Sequence, residues 1–145
     1  MKISPELLDK VKGFIDDSKH TLSNSLGIEF ITISSDKLVA RMPVDERTKQ
    51  PLGLLHGGAS VALAETLASV GGWMQIDAEK EIVVGSEINA NHLRPVTSGF
   101  VTGTASPIHI GRKTQVWHIE IRSEDSKLVC ISRCTLVVLP RAEFN

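Results

Sequence analysis

Apolar residues recur along this chain in two different spacings, and the change from one to the other divides it. Four runs in the second half, residues 82–93, 100–110, 114–123 and 128–139, are rich in β-branched and apolar side chains, and turn signals at 95–99, 111–113 and 124–127 separate them. In the third run Trp117, Ile119 and Ile121 alternate with His118, Glu120 and Arg122, which predicts a strand with one buried and one wetter face. Residues 26–33 and 37–44 flank the polar break Ser34, Ser35, Asp36 and predict a hairpin, followed by a polar loop from Asp45 to Lys49. Ahead of them, within the first 20 residues, 5–17 read as a short amphipathic helix. Leu7, Leu8, Val11, Phe14 and Ile15 fall at helical spacing behind Ser4 and Pro5, and the helix is expected to pack as a lid or flap.

Between the hairpin and the last four strands the alternation stops. From Pro51 to Ile76, leaving His56 aside, Glu65 is the only residue that can carry a charge. Gly57 and Gly58 permit a tight turn into a helix over 58–75, whose stretch 59–70 consists of good helix formers and is apolar nearly all round. Such a helix is expected to be buried. The length would also suit a membrane span, but a central Glu costs about 2.5 kcal/mol or more there, and the flanking strands belong to a soluble sheet. One long buried helix against an antiparallel sheet of about six strands is an α+β architecture. With no repeat, no low-complexity tract and no linker, residues 1–145 read as one domain.

Composition changes this picture little. The chain is 41% hydrophobic and 23% charged, with 16 Lys plus Arg against 17 Asp plus Glu, so no excess positive charge is available for nucleic acid or an anionic membrane. Pro5, Glu6 and Asp9 interrupt the apolar run that a signal peptide needs, which points to the cytoplasm. Cys130 and Cys134, roughly 13 Å apart on one face of a strand at ~3.3 Å per residue, cannot pair with each other. The five histidines are scattered and neither CxxC nor HExxH occurs, so nothing supports a zinc site.

A carboxylate buried without a partner costs several kcal/mol, so Glu65 needs an explanation. It either pairs with a basic side chain at a subunit interface or faces a cavity where its charge is used. Gly58, Ala62, Ser69 and Gly72 share its face, leaving room for a backbone or a ligand. At the helix start, the backbone N–H groups of His56, Gly57 and Gly58 have no intrahelical partners. There they either cap the helix or polarise a carbonyl and hold an oxyanion. Gly57 and Glu65 lie eight residues apart, roughly 12 Å along a helix at 1.5 Å per residue. If both act on one carbon, they must come from two chains related by a two-fold axis.

The segment GLLHGGASVALAET, preceded by Gln50 and followed by GSEINANHLRPV, resembles the hotdog-fold thioesterase superfamily. More narrowly, it is similar to the branch containing Arthrobacter-type 4-hydroxybenzoyl-CoA thioesterase, the enterobactin-pathway proofreading thioesterase and 1,4-dihydroxy-2-naphthoyl-CoA thioesterase. The resemblance implies a hotdog fold and hydrolysis of a small, aromatic acyl-CoA, with coenzyme A as part of the substrate and no separate cofactor or metal. It also implies a homotetramer of two dimers. Residues 45–57 become the active-site loop. Glu65 becomes nucleophile or general base, and Gly57 N–H the holder of the carbonyl oxygen. His56 and Gln50 orient substrate and leaving thiolate, and Ser69 positions water. Substrate and CoA contacts fall to Val84, Asn91, His92, Leu93 and Arg94, and to Ile108, His109, Ile110, Gly111, Arg112 and Lys113. Ordinary solvated turn residues are the competing reading for the charged members of that set. Two functional alternatives stay open: proofreading of acyl groups on a carrier protein, and a non-catalytic acyl-CoA binding module.

Overall fold

Strand periodicity decides the second half of the chain, and the computed structural model, which describes residues 1–11 and 20–144, follows it closely. The strands β1 (Lys2–Ile3), β2 (Glu29–Ile33), β3 (Leu38–Pro43), β4 (Glu81–His92), β5 (Phe100–Ile110), β6 (Thr114–Ser123) and β7 (Leu128–Pro140) form one sheet. Their order is β1-β2-β3-β5-β6-β7-β4. Trp117, Ile119 and Ile121 of β6 are fully buried, and their alternating neighbours His118, Glu120 and Arg122 are not. The sheet has seven strands rather than about six. The extra one is the two-residue β1, too short to show a period, which runs parallel to β2 in an otherwise antiparallel sheet.

Two more expectations change. Residues 26–28 are not strand, because a four-residue helix, α1 (Leu22–Ser25), occupies the preceding segment. Gly27, at φ 70°, closes it with the Ile28 N–H donating to Ser23 O at 2.9 Å, and β2 starts only at Glu29. At the N-terminus Pro5–Leu7 is a 3-10 turn and 8–11 are helical, while the rest of the expected helix lies outside the described residues. The described part is anchored rather than flap-like. Leu7 and Val11 are buried, and Lys10 Nζ donates to Met74 O at 3.4 Å and Ile76 O at 2.5 Å, at the end of the long helix. That burial lowers the Lys10 pKa.

The long helix, α2 (Gly57–Met74), packs against β3, β4, β5, β6 and β7. Leu63, Ala64, Leu67 and Ala68 are fully buried against the sheet. Val61, Ala62, Glu65, Thr66 and Ser69 are only half-buried, so the helix that reads as apolar all round leaves one face open in a single chain. Glycines set the closeness of the packing. A Cβ on Gly71 would sit 2.7 Å from Trp117 Cη2 and 2.9 Å from Leu38 Cδ1, and one on Gly103 of β5 would sit 2.6 Å from Leu67 Cδ1. Gln115 ties the two layers together: its Nε2 donates to Gly72 O at 3.3 Å and its Oε1 accepts from Trp117 Nε1 at 3.1 Å. Among the described residues no helix is long and apolar enough to cross a membrane.

Because the atoms facing Gly71 belong to a fully buried ring and leucine, Gly71→Ala must move the helix or the sheet. Its expected cost is about 1–3 kcal/mol of stability, read by urea denaturation at fixed protein concentration.

Candidate active site

The loop leading into α2 is held by hydrogen bonds to backbone carbonyls inside and beside it. Thr48, buried, donates from Oγ1 to Pro43 O at 2.7 Å; His56 N–H donates to Thr48 O at 2.8 Å, and Leu55 N–H to Val96 O at 2.8 Å. Gln50 N–H donates to Leu54 O at 2.8 Å, and its side-chain oxygen accepts from Leu52 N–H, which leaves the side-chain NH2 as a donor. His56 is the N-cap of α2. Its Nδ1 accepts from Gly58 N–H at 2.8 Å, so in the neutral ring the proton sits on Nε2. The Gly58 amide is thus committed. Gly57 N–H has no hydrogen-bond partner among the described residues, and it stands at the positive end of an 18-residue helix.

Strand β4 places its inward-facing residues along α2. His92 lies against Gly57, with Nε2 2.8 Å from where a Cβ would stand, and Gly85 lies under the Glu65 carboxylate. Glu65 opens on its other side into a groove of about 840 Å³, lined by Ala62, Thr66 and Ser69 of α2 and by Leu22, Ile28 and Phe30. Ser69 is one turn from Glu65 on that face. The Ser23 and Thr66 hydroxyls, 3.3 Å apart, hold α1 beside it.

The other sequence-predicted contacts divide into two groups. Asn91, His92, Leu93 and Arg94 lie at one end of the sheet, whereas Val84 and the β5–β6 turn, Ile108 to Lys113, lie at the other. His92 pairs with Cys130 of β7 and Thr114 with Val137, a separation of roughly 23 Å at ~3.3 Å per residue. Arg94 Nη1 donates to Leu128 O at 2.7 Å, and Arg94 borders a second cavity of about 350 Å³. At the turn, Gly111 N–H donates to Thr114 O at 3.0 Å, and Ile108 and Ile110 are 59% and 43% exposed. One chain therefore does not gather these basic residues into one cluster.

Sequence reading passed over Gly85 and Thr66. Gly85 carried a faint signal, since a glycine inside a strand marks a bulge or a close approach, and here it marks both. Thr66 carried none. Both cysteines are free and buried. Burial, with the Glu65 and Glu87 carboxylates adding to it, pushes the Cys134 thiol up to about 12, so it is not a nucleophile at neutral pH. No group of three or more His, Cys, Asp or Glu among the described residues could hold a metal ion.

The family model described as Thioesterase superfamily matches residues 52–130, which contain the helix, Glu65 and the β4 residues beside it. The chain belongs to the hotdog-fold thioesterase superfamily. With relatives named as thioesterases and CoA hydrolases at about half identity, it is a thioester hydrolase. Its relatives include a 1,4-dihydroxy-2-naphthoyl-CoA hydrolase of Escherichia coli, 54% identical over 79% of this chain and 83% of that one. A proofreading thioesterase of Klebsiella pneumoniae is 48% identical over 84% of this chain and 88% of that one. Among solved structures, a thioesterase of Haemophilus influenzae superposes with a TM-score of 0.84 at 47% identity, covering 100% of this chain and 96% of that one.

If burial silences both thiols, native protein at pH 8 is expected to show almost no reaction with a thiol-specific disulfide reagent, and two reactive thiols per chain after denaturation. A rapid native reaction at either cysteine would contradict the packing described.

Proposed function

We propose that this thioesterase hydrolyses small aromatic acyl-CoA thioesters, with Glu65 as the reacting carboxylate and the Gly57 amide as the oxyanion donor. The observation that carries it is a half-buried carboxylate facing an apolar groove on the same helix whose first amide has no partner among the described residues. A relative named for 1,4-dihydroxy-2-naphthoyl-CoA supports the aromatic class and the CoA carrier. Glu65 adds to the thioester carbon, or takes a proton from a water that does so. In either route a C–O bond forms, the carbonyl oxygen becomes an oxyanion on the Gly57 N–H, the C–S bond breaks and CoA leaves as the thiolate. In the first route a water placed by Ser69 then hydrolyses the acyl-enzyme. His56 and Gln50 supply the remaining donors, and the reaction draws on no metal or separate cofactor.

Both groups serve one substrate only if two chains share the site. β4 ends the sheet, and its outer row of N–H and C=O groups faces no other strand among the described residues. Antiparallel pairing with β4 of a second copy, centred between Gly85 and His92, sets Gly85 of one chain across from His92 of the other. Because Glu65 rests on Gly85 and Gly57 on His92, the same two-fold operation carries Glu65 to the partner subunit's Gly57. It also carries the turn at Ile108 to Lys113 toward the end of the partner that holds Arg94, so that basic residues from two chains meet the CoA phosphates.

Glu65→Gln is expected to abolish benzoyl-CoA hydrolysis while the fold persists; near-normal turnover would remove Glu65 from the mechanism. Gly57→Pro deletes one N–H at a helix position that tolerates proline, after a residue already extended at φ −69° and ψ 130°, and its ring also pushes the adjacent His92 imidazole aside; together these should lower kcat about 100-fold or more. Mixing the two variants under subunit exchange should restore about one quarter of wild-type turnover, since half of random dimers are mixed and each holds one intact site of two. Absence of any recovery would place both groups within one chain. Faster turnover of a benzoyl group on a carrier protein than on CoA would reassign the substrate.

A further inference from the structure

Gly85 is not required by its backbone. Among the described residues the glycines with positive φ are Gly27, Gly53 and Gly99, so a side chain at position 85 meets no conformational penalty of that kind. Its place is nonetheless unusual. It faces α2 from β4 at the bulge where Gly85 pairs with Leu136 and Glu87 with Thr135, and a glycine inside a strand weakens the strand. A Cβ there would overlap Glu65 Oε1 and lie 3.4 Å from Cδ and 3.9 Å from Cγ of the same side chain. The three heavy atoms nearest to that point beyond the chain neighbours all belong to Glu65. The first atom that a side chain there would meet is the carboxylate oxygen.

We propose that Gly85 is a positioning residue for Glu65, and that the length of the acid at position 65 is matched to the absence of a side chain at position 85. This rests on the reading of Glu65 as the reacting carboxylate. The geometry separates Gly85 from the glycines that seat the helix. At Gly71 the opposing atoms belong to a packed ring and a core leucine, so an added methyl strains the fold. At Gly85 the opposing atom is the free end of a flexible side chain, so an added methyl turns the carboxylate aside and leaves the fold in place. Displacement of a reacting group by about 1 Å can cost about 100-fold in rate. An aspartate at position 65, one methylene shorter, withdraws from the same space.

The test is a double-mutant cycle on benzoyl-CoA. Gly85→Ala in the wild-type background is expected to lower kcat about 100-fold with KM little changed and with folding intact. In the Glu65→Asp background the same change should alter kcat by no more than about twofold, the scatter of sites that do not interact. Should Gly85→Ala also lower the melting temperature, the double variant should regain it, which keeps the cycle readable without activity. Equal losses in both backgrounds, or wild-type kcat for Gly85→Ala while Glu65→Gln is dead, would overturn the positioning role and leave Glu65 as the reacting group. Normal turnover of Glu65→Gln would overturn both.

Discussion

The close seating of α2 on the sheet is the constraint from which the rest of this molecule follows. Gly71 and Gly72 let Trp117, Leu38 and Leu136 reach the helix backbone, and Gly103 admits Leu63 and Leu67 from the other side. Contacts of this kind gain little singly and much together, and they forbid adjustment, because a dense interior cannot absorb even one added methyl without moving a neighbour. The helix is therefore fixed in rotation as well as in position. Its buried face is spent on the sheet, and the face bearing Glu65, Thr66 and Ser69 is turned toward the groove.

That rotation explains why one carboxylate can exist in so apolar a segment. Glu65 is half-buried rather than sealed, with Gly85 on one side and the groove on the other. The same rigid helix fixes the distance from Glu65 to the first free amide. A bond-making carbon cannot bridge eight helical residues, so under the proposed mechanism the stiffness that stabilises the fold also calls for a second chain. The unpaired edge of β4 offers the complement, since an exposed edge of twelve residues that pairs on one side only invites a second strand.

Legibility of the fold varied with the length of each signal. β5 and β6 could be read to the residue, because turn signals bound each run and the alternating burial within it leaves one register. α2 was out by one residue at each end. β1, two residues long, and the short α1 that displaced the start of β2 were beyond local pattern: the first exists only through its pairing with β2, and the second through the turn at Gly27. Of the candidate site, Glu65, His56 and Gly57 stood out as a charge and a helix start in an apolar run. The partner of Gly85 did not, because a glycine records what is absent and only the fold says what fills the space.

The sequence by itself determined the six longer strands, the long helix, the family and the one acid that the apolar segment offers as a candidate, since each is written in local period or in a short motif. The tertiary structure alone decided which face of that helix is open, that His56 caps the helix through Gly58 and leaves Gly57 N–H unpaired, and that Gly85 and His92 sit beside the two candidate groups. These depend on the register between β4 and α2, residues far apart in the chain, and register is set by the packing of the whole core rather than by any segment within it.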